Sequence, residues 1–481
     1  MKTNVFLRFS ATVLAIWMVL SLVACSDPAQ DSKETNGGEQ TDGQTEEATE
    51  FVPDIEVKNY EDEFVVVNGG SFTSEFHFVE DYSGDIMNDA VYERMVKVKD
   101  HIGVECVLTD AGSWTEYAGT VMRSVSAGGD DYQLVMTHVY QGITQLMTGD
   151  SLYDFRDFDT VNLDAPYWKD DLMADLSVNG RYLFGYNDFC LASVNVITFN
   201  KALAEDNHVD SPYDLVRNNK WTLDKMMELA AKVSVNLGDS SWGTEDIYGL
   251  TNTQWATMIS MTAACDIQIV NCNQDGGWYV AYNEKAERMT ELLEKIVAMY
   301  KADWSYLATN THSGGDEVHL SAGRTLFYME GMAELYRMKG EDIAYGILPY
   351  PMFDEEQGGY RSLSWNGLLC VPTTIKNPTM VGEVLELLSY YSDPVKAAFY
   401  ENLFGSKLAQ DPDDAEMLEI LWNSQVSERA FVVANTTTSM DQLLYMLPLL
   451  GQQGQTSTAS FMKIHEQRAQ RGIDSLIDKM K

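Results

Sequence analysis

The chain has 481 residues, of which 73 are acidic and 33 basic, giving a formal net charge of -40 at pH 7. This strongly acidic balance argues against nucleic acid or an anionic membrane surface as a partner. The length exceeds what one hydrophobic core usually serves, so we expect two lobes.

The first 24 residues have the pattern of an export signal peptide. Lys2 and Arg8 form a basic start, and the apolar stretch 11–20 is too short to be a comfortable membrane span. The segment ends in Leu-Val-Ala-Cys at 22–25, which resembles the lipobox of bacterial lipoproteins. The resemblance implies removal of 1–24 and a lipid (palmitate-type) anchor on Cys25, which places the protein on the extracellular face of the cell membrane. The alternative is an ordinary secretory signal with an incidental cysteine.

Residues 25–57 are rich in Asp, Glu, Gln, Thr and Gly and have few apolar residues to bury. This composition predicts a flexible acidic linker. Its role would be to hold the folded part clear of the membrane, although a disordered end without a specific role would have the same composition.

The first predicted elements alternate between strand and helix. A β-branched and aromatic run at 63–67 ends in Asn-Gly-Gly at 68–70, a helix is expected over 85–99, and a second strand over 104–108. Residues 131–140 (DYQLVMTHVY) are expected to form another buried strand. This βαβ order favours an α/β fold with an open parallel sheet covered on both faces.

Two amphipathic helices and two short strands are expected farther along the chain. Thr222 is a candidate N-cap for a helix with apolar residues on one face, and residues 381–391 have the same apolar spacing. The runs 343–348 and 367–371 predict strands, each followed by a proline that cannot continue a sheet ladder.

The remaining cysteines give no metal or redox motif. They number five besides Cys25, and no CxxC pair occurs. Cys265 and Cys272 are close enough in sequence to form a disulfide, but sequence separation alone cannot establish the geometry, so free thiols remain the alternative. No cofactor and no metal site are expected.

The order of several short segments resembles the family 1 extracellular solute-binding proteins, the group that includes the maltose-binding protein. Each segment alone is weak, and the resemblance rests on their order over most of the mature chain. The segments are NGRYLFGY at 179–186, VITFNK at 196–201, SPYDL at 211–215 with Trp221-Thr222, DIYGL at 246–250, SAGRTLFYMEG at 321–331 and YGILPYP at 345–351.

The resemblance implies a type II periplasmic-binding-protein fold with two discontinuous lobes and a ligand cleft at their hinge. The first lobe would comprise 58–185 and 325–370, and the second 186–324 and 371–481. It also implies a monomer that captures a small solute by hinge closure and delivers it to the transmembrane subunits of an ABC permease. The many Trp and Tyr residues favour a mono- or oligosaccharide, because sugar rings stack on aromatic side chains.

Aromatic and polar residues near predicted strand ends and lobe crossings are the candidate ligand residues, because ligands approach open α/β sheets there. Trp365 and Asn366 precede the strand that returns towards the hinge, and Trp365 is expected to stack on the ligand rather than belong to the core. The other candidates are Tyr140, Gln141, Tyr186, Asn187, Asp188, Trp255, Glu330, Trp114 and Glu116. In contrast, Trp278 is expected to be a surface residue of a hairpin.

Enzyme function is the less favoured class. The chain contains no HExxH, GxSxG, GxxxxGK[ST] or GxGxxG motif. An SxxK occurs at 460–463 without a KTG triplet, so a serine-type enzyme is weakly supported, and the adjacent Asp170 and Asp171 lack the separation across a cleft that glycoside cleavage needs. No catalytic residue is assigned. A surface lipoprotein that binds a glycan or a signal without feeding a transporter remains an alternative.

Overall fold

The structure is a computed structural model that describes residues 51–480 apart from 71–75, 139, 192–193, 239–240, 253, 310–319, 333–334, 336–343, 366 and 405–411. The predicted signal peptide, Cys25 and Asn366 therefore lie outside the described residues. The described helices and strands all belong to the unit Ile55–Lys481. Among the described residues, no helix combines the length and the apolar composition needed to cross a membrane.

Short apolar runs form the strands, and most of them join one of two sheets. In chain order the strands are β1 (Asp62–Asn68), β2 (Val104–Thr109), β3 (Leu134–Met136), β4 (Asn195–Asn200), β5 (Tyr248–Asn252), β6 (Val270–Cys272), β7 (Trp278–Val280), β8 (Ser305–Tyr306), β9 (Thr325–Gly331), β10 (Tyr345–Leu348), β11 (Ser362–Leu363), β12 (Leu369–Cys370) and β13 (Gln425–Val426).

The first sheet has the order β12-β3-β1-β2. Strand β1 is parallel to both β2 and β3, with Val66 opposite Leu108 and Leu134, whereas β12 is antiparallel to β3. The buried side chains Phe64, Val66 and Val67 hold β1 in the core. The predicted βαβ order and parallel sheet are confirmed, with one antiparallel strand added at the edge.

The second sheet has the order β10-β4-β9-β5-β8. Strands β5, β8 and β9 are parallel to one another, and β4 is antiparallel to both β9 and β10. Every residue of β4, β5 and β9 is buried. These three strands are therefore covered on both faces, as expected for the central strands of an α/β sheet.

The helices cover the two sheets. They are α1 (Ile86–Ile102), α2 (Tyr117–Ser126), α3 (Ile143–Leu146), α4 (Asp170–Asp175), α5 (Lys201–Asp206), α6 (Pro212–Arg217), α7 (Leu223–Val233), α8 (Ser260–Ala264), α9 (Ala286–Lys301), α10 (Pro378–Tyr390), α11 (Asp393–Phe404), α12 (Pro412–Asn423), α13 (Arg429–Val433), α14 (Thr438–Leu444), α15 (Met446–Gln452) and α16 (Thr458–Lys479).

Local sequence explains where the predicted helices begin. Asp85 accepts hydrogen bonds from the backbone N–H groups of Met87 and Asn88 and caps α1. Thr222 caps α7 in the same way through the N–H of Lys225, as predicted. The helix expected over 381–391 is α10, which Asn377 caps.

The structure corrects the lobe boundaries expected from the resemblance. Residues 325–370 were assigned to the first lobe, but β9 and β10 pair with β4 in the second sheet, and only β12 joins the first. Residues 371–481 were assigned to the second lobe, but α10 and α11 pack on α1. The assignment was wrong because the sequence of a buried apolar strand does not show which sheet the strand joins. That sheet is determined by pairing with strands distant in sequence.

Two smaller expectations can also be compared with the structure. Cys265 and Cys272 are free thiols, as are Cys106, Cys190 and Cys370, so no disulfide links the described cysteines. Trp278 does lie in a hairpin, formed by β6 and β7, but it is buried and its indole N–H donates to the Ser177 carbonyl at 2.9 Å. Its expected surface position was wrong, because the hairpin packs against another segment of the chain.

Candidate binding site

Two crossing segments, 186–194 and 364–368, connect the two sheets. At one end, Gly185 and Leu369 exchange two backbone hydrogen bonds of 2.8 and 3.0 Å, and Leu369 also pairs with Met136 at the end of β3. At the other end, Val194 forms an isolated antiparallel bridge with Ser364. Val194 lies one residue before β4 begins.

The crossing segments meet the carboxyl ends of strands in both sheets. Asn195, the first residue of β4, lies opposite Gly331 at the carboxyl end of β9, while the other end of the crossing lies beside the carboxyl end of β3. The five steps from Ser364 to Leu369 can span at most about 17 Å. The two carboxyl edges therefore lie close together, and ligands of open α/β sheets bind outside such edges.

Trp114 and the segment after β3 lie at the carboxyl edge of the first sheet. The Trp114 side chain is 50% exposed although it is large and apolar. Its ring lies 5.1 Å from the imidazole of His138, centroid to centroid, at an angle of 40°. The edge thus presents an accessible aromatic surface next to a polar ring.

His138 organises the turn after β3. Its Nδ1 atom lies 3.1 Å from the backbone nitrogens of both Tyr140 and Gln141 and accepts their N–H hydrogens. Burial lowers the pKa of His138 to about 4. His138 is not among the ligand residues predicted from the sequence; its position two residues after a buried strand is the signal that could have identified it.

Tyr140 and Gln141, both predicted ligand residues, are held by neighbouring segments. The Tyr140 hydroxyl donates to Asp441 Oδ1 at 2.5 Å, and Asn435 donates to the Tyr140 carbonyl at 2.6 Å. Burial, followed by the hydrogen bond to Asp441, raises the pKa of Tyr140. The Gln141 carbonyl accepts from Tyr117 at 2.6 Å. The Tyr140 hydroxyl therefore attaches this turn to α14.

Glu116, another predicted ligand residue, accepts hydrogen bonds from a residue of its own loop. Its Oε2 accepts hydrogen bonds from the Ser113 hydroxyl at 2.7 Å and from the Ser113 N–H at 3.2 Å. These bonds lower the pKa of Glu116. The carboxylate lies on the same exposed loop as Trp114, and its bonds to Ser113 support that loop.

Tyr186, Asn187 and Asp188 are buried in the first crossing segment, where they were predicted to lie. The Tyr186 hydroxyl lies 3.0 Å from Ser364 Oγ in the second crossing segment. Neither polar atom of the Asn187 side-chain amide has a hydrogen-bond partner within the described parts of the chain. The contact between Tyr186 and Ser364 therefore joins the two crossing segments by a hydrogen bond between side chains.

Asp188 lies in a nearly buried charge cluster. Lys396 Nζ is 2.6 Å from Asp188 Oδ2, and Lys169 Nζ is 3.8 Å from Oδ1. Burial opposes the charge of Lys396, but Asp188 and Asp393 outweigh it and raise the pKa of that ammonium group. Burial lowers the pKa of Lys169, which is farther from the carboxylate. These contacts fix Asp188 within the protein.

Trp365 is half-buried in the second crossing segment. Its ring packs edge to face against Phe431, with the ring centres 4.9 Å apart. A cavity of about 30 Å³ lies beside this segment, lined among others by Tyr186, Ser364 and Phe431. It has room for ordered water but is far smaller than the roughly 300–1,000 Å³ of a typical ligand pocket. A solute would therefore have to bind outside this cavity.

The predicted residues of the second sheet lie at its carboxyl edge. Trp255 begins a 3-10 helix, Trp255–Ile259, three residues after β5 ends. Glu330 is buried near the end of β9, where its carboxylate accepts from Gly331 N–H at 2.8 Å and from the Tyr328 hydroxyl at 3.1 Å. Burial, with a contribution from the Glu330 charge, raises the pKa of Tyr350 at the same edge.

Several site residues from the C-terminal segment were not predicted. Phe431 contacts Trp365, whereas Asn435 and Asp441 hold Tyr140. The polar run Asn-Thr-Thr-Thr at 435–438, which separates two apolar helices, could have indicated a contact outside the core. An open depression of about 550 Å³ between α2 and α3 includes none of the predicted ligand residues in its lining. Among the described residues, no cluster of His, Cys, Asp and Glu suited to a metal ion occurs.

Comparison with known proteins identifies the fold through structure rather than sequence. No family model matches the chain, and no curated protein matches it in sequence. Among solved structures, the sugar-binding protein MalE from Xanthomonas citri is 13% identical, with a TM-score of 0.59, over 86% of this chain and 98% of that one.

Two further solved structures have similar coverage. UgpB from Mycobacterium tuberculosis in complex with glycerophosphocholine is 16% identical, with a TM-score of 0.55, over 86% of this chain and 98% of that chain. The ABC substrate-binding protein Lmo0181 from Listeria monocytogenes in complex with cycloalternan is 12% identical, with a TM-score of 0.53, over 87% and 98%. The chain therefore has the type II fold of the solute-binding proteins of ABC transporters.

Proposed function

We propose that this chain is the extracytoplasmic solute-binding protein of an ABC importer and that its solute is a carbohydrate. The observation that carries the proposal is the pair of sheet edges joined by two short crossing segments, with Trp114 exposed at one edge and Trp365 half-exposed in a crossing. Aromatic side chains at such a place suit the apolar face of a sugar ring, while nearby polar groups bind its hydroxyls.

The fold neighbours support the same choice of ligand. Solved structures with this fold hold cycloalternan, alpha-D-tagatose, maltotriose and D-mannitol, although one holds glycerophosphocholine. Rotation about the crossing segments would bring the two edges together around the solute. Closure would then give the permease a liganded state to recognise, because the ligand binds the closed state more tightly. Binding involves no covalent chemistry.

The proposed location and partners rest on the sequence. Cys25 would carry the lipid anchor, residues 25–57 would span the distance to the membrane, and the transmembrane subunits of the permease would receive the solute from a monomeric binding protein. An acylated cysteine tethers a protein without a membrane-spanning helix, because each buried CH₂ group contributes about 0.8 kcal/mol.

A thermal-shift screen tests the proposed function. Mono- and oligosaccharides, amino sugars, peptides and spermidine are added separately to the purified protein. A solute at 100 times its Kd stabilises the folded state by about 2.7 kcal/mol. Stabilisation by at least one saccharide is the expected result, and stabilisation by peptides or spermidine alone would contradict the carbohydrate assignment.

A second measurement separates transport from binding alone. The liganded protein is added to its permease, reconstituted in vesicles, and ATP hydrolysis is measured with and without the saccharide. Stimulation that requires both protein and saccharide supports the importer. Saccharide binding without any association with the permease would instead support a surface glycan- or signal-binding lipoprotein.

A further inference from the structure

The hydrogen bonds of His138 determine which of its ring nitrogens carries a proton. Two backbone N–H groups, those of Tyr140 and Gln141, point at Nδ1 from 3.1 Å. A nitrogen that accepts two N–H hydrogens cannot carry a hydrogen of its own in the same plane. The neutral imidazole must therefore have its proton on Nε2, and Nε2 has no hydrogen-bond partner within the described parts of the chain.

The same contacts oppose a charged imidazole. Protonation of Nδ1 would place its N–H against two backbone N–H donors, and burial acts in the same direction by lowering the pKa of His138 to about 4. At neutral pH this side chain therefore offers one N–H donor and no charge.

Two glycines after β1 pack against His138 and Trp114. A Cβ atom on Gly69 would lie 2.6 Å from the His138 backbone nitrogen, and one on Gly70 would lie 3.1 Å from Trp114 Cβ. Gly70 also has a φ of 98°, which side-chain-bearing residues rarely adopt. His138 and Trp114 therefore both pack closely against the two glycines that follow β1, where a side chain would not fit.

We propose that Trp114 and His138 form a subsite in which an uncharged hydroxylated ring lies on the indole and one of its oxygens accepts the Nε2 hydrogen of His138. The inference rests on the proposed function and specifies one part of that site. Two carboxylates near this subsite already accept hydroxyl hydrogens from the protein, Glu116 from Ser113 and Asp441 from Tyr140. The subsite therefore selects ligands that present an acceptor to Nε2, a position at which an ammonium group, which can only donate, finds no acceptor.

Two substitutions distinguish the hydrogen bond that Nε2 would donate to a ligand from the two hydrogen bonds that Nδ1 accepts within the turn. In His138→Asn, the side-chain oxygen can take the place of Nδ1 and accept from Tyr140 and Gln141, but the Nε2 donor is lost. In His138→Gln, the amide N–H can take the place of Nε2. His208→Asn is the control, because His208 is exposed elsewhere. Trp114→Ala is compared with Tyr82→Ala, since Tyr82 has a similar exposure of 53%.

The experiment is calorimetric titration of D-glucose, D-galactose, maltose and maltotriose into the wild type and these variants. For a saccharide that binds the wild type, loss of one neutral hydrogen bond in His138→Asn should weaken binding roughly 3- to 10-fold. His138→Gln should retain more affinity, Trp114→Ala should lose at least as much as His138→Asn, and both controls should bind as the wild type does. Unchanged hydrogen exchange of the Tyr140 and Gln141 amides would show that the turn is intact in His138→Asn.

The possible failures are distinguishable. If a saccharide binds the wild type and His138→Asn equally, the subsite is wrong and the proposed function survives. If the thermal-shift screen finds no saccharide that stabilises the wild type, both are overturned. Nitrogen chemical shifts of the imidazole provide a readout without ligand: a protonated Nδ1 at neutral pH would overturn the subsite whatever the titrations give.

Discussion

Lys396 on α11 and Asp188 in the first crossing segment form an ion pair with 2.6 Å between Nζ and Oδ2, and both side chains are largely buried. The ring of Trp422, on α12, lies 4.5 Å from Lys169 Nζ and 5.9 Å from Lys396 Nζ. Helix α12 packs on β10 of the second sheet, whereas α11 packs on α1 beside the first. The cluster therefore connects both halves of the fold at the crossing.

Removal of the Asp188 carboxylate should destabilise the protein. Asp188→Asn leaves two poorly solvated ammonium groups without their shared partner, and breaking a buried pair in this way costs about 3–5 kcal/mol. Urea unfolding measures the loss. Asp393→Asn is the matched control, because Asp393 pairs with the same lysine but its side chain is 71% exposed; its loss should be below about 1 kcal/mol. Equal losses in the two variants would show that the buried pair has no special role.

Trp365 is expected to contribute more to binding than to folding. Because the side chain is half-buried against Phe431, Trp365→Ala should weaken saccharide binding by about 1–3 kcal/mol and destabilise the unliganded protein by less than a core tryptophan would. Trp221→Ala is the comparison, since Trp221 is fully buried and its loss should cost about 3–5 kcal/mol. Calorimetry and thermal melting measure both. A stability loss as large as that of Trp221→Ala, with affinity intact, would place Trp365 in the core.

Stability should depend on pH through His138. Its pKa is about 4 in the folded protein and near 6.5 when unfolded, so the unfolded chain binds the proton more tightly. The free energy of unfolding should therefore fall as the pH decreases from about 6.5 to 4, and stay flat above that range as far as this group is concerned. His138→Asn should remove this part of the slope, measured by urea unfolding at several pH values. A slope identical to that of the wild type would contradict the neutral, buried imidazole.

Cys25→Ala tests the proposed lipid anchor. In a bacterial host the wild-type protein should be processed and membrane-bound, whereas the variant should be released or should accumulate with its signal peptide. Fractionation and mass spectrometry of the N-terminal peptide measure this. Cys272→Ala serves as the control for a general effect of losing a cysteine. A Cys25→Ala protein that remains processed and membrane-bound like the wild type would contradict the anchor.

Local sequence predicted individual elements well. The run 63–67 lies within β1, Thr222 caps α7, and the apolar spacing at 381–391 corresponds to α10. These features depend on alternation, capping and helical periodicity, which neighbouring residues determine. The strand expected over 131–140 shortens to Leu134–Met136 because the following residues turn around the His138 ring.

Features that depend on distant contacts were less predictable. The sheet that β9 joins is decided by its pairing with β4, more than 100 residues away, so its lobe was assigned wrongly. Similarly, no local pattern shows that Asp441 bonds Tyr140 or that Phe431 contacts Trp365. The expectation that ligand residues follow strand ends did place Trp114, Tyr140 and Glu330 at the sheet edges. The carboxyl ends of parallel strands share an edge whichever strands pair with each other.

Calorimetric titration of pyranose mono- and oligosaccharides into the purified wild-type protein tests the central claim most directly. We expect a saturable heat with one saccharide bound per chain, because in the described part of the chain the crossing segments join one carboxyl edge of each larger sheet. Saturable binding of peptides or spermidine in place of every saccharide, or no saturable heat with any saccharide, would contradict the claim that this protein captures a sugar.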